Sequence, residues 1–384
     1  MTIIEIADSH IVEDARLGEC IRVHEGVVDI VRHVKPKVVL HAGDLFDAAS
    51  TPTGRLVAVE LVTKLTEEAP LVIARGNHDR WRDLAILAAL RTRHPIHVVE
   101  DARVLTVGGM HLAVCAWPVR ASNADEELSR QYLRDVLRGL GADLAQLSGP
   151  RVALGHFMVD GALSGAGQPI IGGGLGVSLE DLALMRADVI LMGHIHRSQT
   201  FSLGATEAHY AGSPFRTDFG EMEGKNVLFV RFEDGRAICE RIPTSARPML
   251  HIEAAFETPG ATLPDDAAKH DPAFALKLSW TPDAAGVGQA DIRFRYTVAL
   301  EYRQAAAAAA DALKARWLSE GAATVKVEAE TITSTRARAP EVAAARTLGA
   351  KVEALWASRG DTPEPARASR LLGRLAQLED AHAS

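Results

Sequence analysis

Short apolar runs alternate with stretches in which apolar residues recur at helical spacing. Thr2–Ile6, Val38–Leu40, Leu71–Ala74, Leu112–Ala116, Val152–Leu154, Val189–Met192 and Val227–Phe232 are predicted as strands. Ile21–Val34, Arg55–Leu65, Asp83–Leu90, Ala124–Leu140 and Leu179–Met185 are predicted as helices. Such alternation predicts an α/β domain. Gly172-Gly173-Gly174-Leu175-Gly176 interrupts it, as a loop near a site or a plain surface loop.

The pattern changes near Pro243–Pro248. Strand-like runs Ala273–Trp280 and Asp291–Leu300 follow, then a helix at Arg303–Leu318 and a strand at Thr324–Glu330. The six alanines inside that helix need only their high helix propensity as explanation. The expected organisation is a catalytic domain over 1–243, a small α+β domain over 247–330, and C-terminal helices over 331–384. In the tail, Val342, Ala345, Leu348, Val352, Leu355 and Trp356 share one helical face, and Gly360 is a natural stop. Leu371, Leu372, Leu375 and Leu378 form a second stripe. These stripes either pack within the chain or dock a partner.

Composition changes the picture little. The 384 residues suit two or three domains and can bury a substantial core. No apolar run is long enough for a membrane span, and Met1–His10 does not read as a signal peptide. Cys20, Cys115 and Cys239 lie far apart, which argues against a disulfide framework or a thiolate metal site and fits a cytoplasmic protein. The net charge of -8 argues weakly against a nucleic-acid partner, although a local basic patch can hide within it. Arg336–Arg374 holds eight Lys or Arg against four Asp or Glu, which reads first as a solvated face.

Five polar fragments carry the chemistry: Asp8-Ser9-His10, Gly43-Asp44-Leu45-Phe46-Asp47, Gly76-Asn77-His78-Asp79, Gly155-His156 and Gly193-His194-Ile195-His196. Each follows a predicted strand, so all five are expected along the carboxyl edge of one sheet, where α/β folds bind ligands. Carboxylate and amide oxygens mixed with imidazoles suit Mn²⁺, Fe or Zn²⁺ better than Ca²⁺. On extended backbone, Asp-x-His and His-x-His would point alternate side chains to one side. Taken singly, a Gly-His or an Asp after a strand means little; the weight lies in the set. The remaining histidines, His24, His33, His41, His94, His97, His111, His209, His251 and His270, are read as packed or surface residues. Arg75, Arg80, Arg197 and Arg216 flank the fragments and could touch phosphate oxygens as cations do, or be ordinary surface arginines nearly as well, so none is taken as a site residue.

Together the fragments resemble the calcineurin-like metallophosphoesterase family, whose pattern is D-x-H, GD-x-x-D/H, GNH-D/E, GH and GH-x-H, in that order. The stretches around Asp44 and His78, and Tyr210–Glu221, look most like the SbcD-type DNA-repair branch. Ser9 for Thr and Ile11-Val12 for Leu-Gly depart from it. The resemblance implies a β-sandwich flanked by helices, with a small α+β capping domain and C-terminal helices. It implies one metal on Asp8, His10, Asp44 and His196 and a second on Asp44, Asn77, His156 and His194, bridged by Asp44. Such metals stand about 4 Å apart, clamp a phosphate and promote in-line attack by water. Mn²⁺ is the first expectation, with Fe, Zn²⁺ or Mg²⁺ as alternatives. His78 would face the phosphate, as proton donor or charge stabiliser, and Asp47 or Asp79 would orient an imidazole.

The expected function is a metal-dependent DNA exonuclease or endonuclease. Its tail helices would bind an SbcC-like coiled-coil ATPase, and a homodimer is a further expectation, with no membrane partner. Two alternatives stand beside it: a phosphodiesterase or phosphatase for a small molecule or nucleotide, and a non-catalytic DNA-end scaffold.

Overall fold

The structure, a computed structural model, describes residues 1–117, 126–170, 176–257, 275–278, 287–332, 342, 345–360 and 363–382. His270 and most of the predicted glycine-rich loop lie outside the described residues. The chain divides into two compact units: Met1–His251 with Ala285–Arg293 and Gly321–Thr324, and Ile252–Ala284 with Phe294–Glu320 and Val325–Ser384.

In chain order, the elements up to Pro243 begin with β1 (Thr2–Ile6), α1 (Leu17–Val34), β2 (Val38–His41), α2 (Pro52–Glu68), β3 (Leu71–Ala74) and α3 (Ala85–Ala88). Next come β4 (Ile96–Val99), β5 (Arg103–Val107), β6 (Met110–Cys115), α4 (Glu126–Leu144), β7 (Arg151–His156), β8 (Met158–Val159) and β9 (Gly176–Val177). They end with α5 (Leu179–Ala183), β10 (Val189–Gly193), β11 (Gln199–Leu203), β12 (Thr206–Tyr210), β13 (Asn226–Glu233) and β14 (Arg236–Pro243). Two six-stranded sheets result, in the orders β14-β13-β1-β2-β3-β4 and β11-β12-β10-β7-β6-β5. Their central strands run parallel; antiparallel hairpins close three of the four edges, and β4, parallel to β3, forms the fourth.

Alternate residues of a strand serve different layers. Ile3, Leu40, Val72, Leu112, Leu154 and Leu191 fill the seam between the sheets. Ile4, Ile6, Val39 and Ile73 face the other way, against α1 and α2. Ala113, Ala153 and Ile190 pack against α4 and α5. The domain is therefore a β-sandwich with helices outside, and strands buried on both faces read as continuous apolar runs. Glu5 is the buried exception in β1; burial and then the Asp8 charge push its carboxyl well above the usual range.

The single expected sheet is thus two sheets, because β6, β7, β10 and β12 pair with one another rather than with β1–β4. The helix expected at Asp83–Leu90 shrinks to the four residues of α3. Its start is held in a turn, with Arg82 left-handed (φ 69) and the Asp83 carboxylate bonded to the Ser50 hydroxyl at 2.8 Å. By contrast α2 begins earlier than expected, because Thr51 caps it through the Gly54 N–H and Pro52 suits its first turn.

The remaining elements, which fall wholly or mostly in the second unit, are β15 (Met249–Glu257), β16 (Ala275–Leu278), β17 (Asp291–Ala299), α6 (Arg303–Ser319), β18 (Thr324–Ile332), α7 (Leu348–Arg359) and α8 (Pro365–His382). Their sheet runs β16-β15-β17-β18. Thr347 caps α7, so Ala345 of the expected stripe precedes the helix; Gly360 ends it at φ 64. The helices α7 and α8 pack on each other.

Candidate metal centre

All five fragments meet at the carboxyl ends of β1, β2 and β3 in one sheet and of β7 and β10 in the other. The first two loops are laced together: Asp8 N–H donates to Gly43 O (3.0 Å), His10 N–H to Asp44 O (3.0 Å) and Ile11 N–H to Leu45 O (2.9 Å). The backbone is not extended here. Asp8 (φ 53), His10 (φ 41), Asp44 (φ 53) and His194 (φ 99) all lie in left-handed territory. Such strain persists only where surroundings over-determine it, and it gathers at functional sites. Sharp turns, rather than strand alternation, make these side chains converge. Gly76 allows the closest approach, since a Cβ there would lie 2.1 Å from Asp44 Oδ1. Gly43 (φ 100) passes His156 in the same way.

Two groups of side chains could each hold a cation: Asp8 with His10 and His196, and Asp44 with His156 and His194, the ligand atoms of each lying within 4.8 Å of one another. Asn77 Oδ1 joins the second, 2.8 Å from His156 Nε2 and 2.8 Å from His194 Nδ1. Asp44 Oδ2 stands between the groups, 3.3 Å from His156 Nε2 and 3.9 Å from His10 Nε2. A third group, His10, Asp47 and His78, lies beside the first.

The outer nitrogens decide what the inner ones offer. His10 Nδ1 meets Asp47 Oδ1 at 2.9 Å, and His196 Nδ1 meets Glu221 Oε1 at 2.9 Å. With the His196 Nδ1–H donating to Glu221, its Nε2 lone pair faces His10 Nε2 at 2.9 Å. His156 Nδ1–H donates to Ala42 O (2.7 Å), which turns its Nε2 lone pair onto the oxygens of Asp44 and Asn77. Acceptors facing acceptors are repulsive unless a cation lies among them. The donor set therefore fits divalent metal ions.

Electrostatics agree. Burial alone would lower His156, but the Asp44 charge overrides it and raises the imidazole to about 9. Burial works against the Asp44 carboxylate too, yet its histidine neighbours hold it well below the ordinary range. His194 is lowered to about 3 by burial and the neighbouring His156. Positive charge is thus favoured beside Asp44, while His194 stays neutral with a lone pair to offer.

His78 is exposed at the rim; its N–H donates to Asp44 Oδ1 (2.8 Å) and its Nδ1 bonds Asp47 O (2.5 Å). Asp79 does not face an imidazole. It is buried and accepts from Gly76 N–H (2.9 Å) and Phe46 N–H (3.0 Å), tying two ligand loops together. Burial and the Asp44 charge raise it to about 6.

Behind Asp8 and His10 runs a buried polar chain whose ends fix its direction. Gly43 N–H donates to His41 Nδ1 (3.3 Å), so His41 Nε2–H donates to Ser9 Oγ (2.9 Å). The Ser9 hydroxyl then donates to His24 Nε2 (2.8 Å), and His24 Nδ1–H to Cys20 O (2.7 Å). Burial keeps both rings neutral, lowering His24 to about 4 and His41 to about 3.

Sequence reasoning did not assign Glu221, Lys225 or Trp117 a role. Glu221 holds His196 and, at 2.5 Å, the buried Lys225. Trp117 stacks on His194, with ring centroids 5.5 Å apart. Glu221 lies at the end of the Tyr210–Glu221 stretch that carried the branch resemblance, which was a usable signal; Trp117 had none. Two flanking arginines are spent on structure. Arg75 donates to Glu100 O and Trp117 O (3.0 Å each), and Arg216 to the carbonyls of Glu221, Glu223 and Arg247. Arg80 is exposed.

A cavity of about 780 Å³ opens beside the cluster, lined by Asp47, Asn77, His78, Arg80, Trp81 and Trp117 among others.

The calcineurin-like phosphoesterase family model matches residues 1–198. The SbcD subunit of the nuclease SbcCD from Bacillus subtilis is 28% identical over 290 residues, covering 66% of this chain and 73% of its own. The DNA double-strand break repair protein Mre11 of Aeropyrum pernix is 25% identical over 270 residues, covering 65% of this chain and 63% of its own. The corresponding SbcCD nuclease subunit of Escherichia coli K12 is 28% identical over 224 residues, covering 52% of this chain and 56% of its own. The chain thus spans less than two thirds of the last two.

Proposed function

The chain belongs to the calcineurin-like phosphoesterase family, and from that premise we propose that it is a two-metal nuclease cleaving phosphodiester bonds in DNA. The hydrolase class follows from the family. The DNA substrate is supported by the relatives' names, nuclease subunit and double-strand break repair protein. The observation that carries the reading is the convergence of two cation-ready groups on Asp44, at the edge of an open cavity.

Asp8, His10, Asp44 and His196 would hold one ion, and Asp44, Asn77, His156 and His194 the other; Mn²⁺ suits this mixed oxygen and imidazole set. When bound, the ions supply the positive charge that stabilises a phosphorane-like transition state and lowers the pKa of water. The protein's own part is orientation. Asp47 lies 2.9 Å from His10 Nδ1, Glu221 fixes the tautomer of His196, the Ala42 carbonyl that of His156, and Asp79 fixes the loop bearing Asn77 and His78. His78, exposed and anchored through Nδ1, is placed to meet the phosphate and to protonate the leaving oxygen or stabilise its charge.

The second unit is read as the capping domain, over 247–330, followed by tail helices from 331. Exposed Leu348 and Leu371 on α7 and α8 support a docking role for a coiled-coil ATPase of the SbcC kind. A homodimer completes the assembly. Three free thiols suit a reducing, cytoplasmic setting; among the described residues, no helix is long and apolar enough to cross a membrane.

The test is Mn²⁺-dependent cleavage of end-labelled linear DNA, with Asp44→Asn as control and bis(p-nitrophenyl) phosphate in parallel. DNA cleavage lost in the variant is the expected result. Turnover of the ester by a protein that leaves DNA intact, with and without an SbcC-type partner, sinks the nuclease reading.

A further inference from the structure

A tryptophan immediately beyond the Gly76–Asp79 loop is presented at the surface rather than packed. Trp81 is 62% exposed, and hydrogen bonds tie the backbone on either side of it. Asp83 N–H donates to Arg80 O (3.0 Å), while the Asp83 carboxylate accepts from Arg80 N–H (3.3 Å) and Ser50. The Arg75 guanidinium lies 5.8 Å from the indole centroid and is itself held by two backbone carbonyls. A lone exposed apolar residue is ordinary. Trp81 differs in its company: it lines the same cavity as Asn77 and His78. It also lines an adjoining cavity of about 440 Å³, with Trp117 and the 46% exposed Tyr132. Exposed Arg80 and Arg82 flank it.

A flat, exposed π-surface backed by a cation, beside phosphate-handling residues and exposed arginines, matches what an unstacked base needs. A paired base inside a duplex has both faces covered by its neighbours and offers nothing to an indole; an unpaired base does. We propose that Trp81 is a stacking subsite for an unpaired nucleobase adjoining the scissile phosphate, so that the protein engages single-stranded or frayed DNA ends. This rests on the nuclease reading above and specifies its substrate.

The experiment is steady-state cleavage, in Mn²⁺, of a short oligothymidylate and of the same oligomer with abasic residues, by wild type, Trp81→Phe and Trp81→Ala. Bis(p-nitrophenyl) phosphate is run alongside. Stacking of one base on one indole sets the expected effect: Trp81→Ala raises the KM for oligothymidylate roughly tenfold, and far more than it alters kcat. Trp81→Phe retains most of the affinity. On the abasic oligomer wild type already shows the higher KM, and Trp81→Ala adds nothing. A Trp81→Ala KM within about twofold of wild type, or an equal rise on the abasic oligomer, overturns the subsite and leaves the nuclease reading standing. Hydrolysis of the ester with no cleavage of either oligomer, by a wild type that does cleave duplex DNA, overturns the subsite alone; ester hydrolysis with every DNA left intact, with and without an SbcC-type partner, overturns both.

Discussion

Replacing Glu221 by alanine removes one carboxylate that serves two masters. On one side it accepts from His196 Nδ1 at 2.9 Å; on the other it pairs with Lys225 at 2.5 Å, the two side chains being 4% and 1% exposed. Breaking one side of a buried pair costs about 3–5 kcal/mol, because the surviving charge is left without compensation. Lys225 would keep Glu223 at 2.9 Å and the His196 carbonyl and Ser213 hydroxyl at 3.0 Å each. The lower end of that range, about 3 kcal/mol, is therefore expected. For a unit of this size it corresponds to a fall in Tm of roughly 6–12 °C. His196 would also lose the acceptor that fixes its tautomer, keeping only the Thr217 hydroxyl at 3.0 Å. A lost partner of that kind weakens metal binding by about ten- to a hundredfold. Thermal denaturation of the metal-free protein isolates the first effect, and calorimetric titration with Mn²⁺ the second. Glu221→Gln keeps the shape and an acceptor but not the charge, so its Tm falls between wild type and Glu221→Ala. If Glu221→Ala melts within about a degree of wild type, the buried pair does not carry the stability assigned to it. If Mn²⁺ binds as tightly as before, Glu221 does not orient a ligand.

Two further outcomes follow from the same geometry. His78→Ala should bind Mn²⁺ as wild type does but lose about a hundred- to ten-thousandfold in kcat, as for removal of a general acid; full turnover in the variant contradicts its assigned role. His24, buried and neutral, has its pKa lowered from 6.5 to about 4. The unfolded chain then takes up the proton first as pH falls, so stability is full above pH 6.5 and declines between 6.5 and about 4, by about 3 kcal/mol in all. Urea denaturation across that window, compared with His24→Asn, should show a shallower decline in the variant; parallel curves would refute the assignment.

The candidate ligands that the fold brings together were legible in the sequence because each sits in a loop at the end of a strand, and strand ends are marked by the break in a local apolar run. Asp8, Asp44 and Asn77 need no knowledge of distant residues to be found. The α/β class followed from the same local signal, and fully buried strands such as Val38–His41 announce themselves as unbroken apolar runs. What the sequence left open depends on pairings that no local period encodes. The partition into two sheets is set by which strands share hydrogen bonds, and Ile3 and Ile4 differ in layer though not in character. Glu221 reaches His196 across 25 positions, and Ser9 joins His41 to His24 from a third element. Arg75 and Arg216 read as free cations beside the motifs until their guanidinium groups are seen to cap backbone carbonyls. Only the folded chain decides which side chains are consumed in holding the structure, and which, like His78 and Trp81, remain turned toward the open cavity.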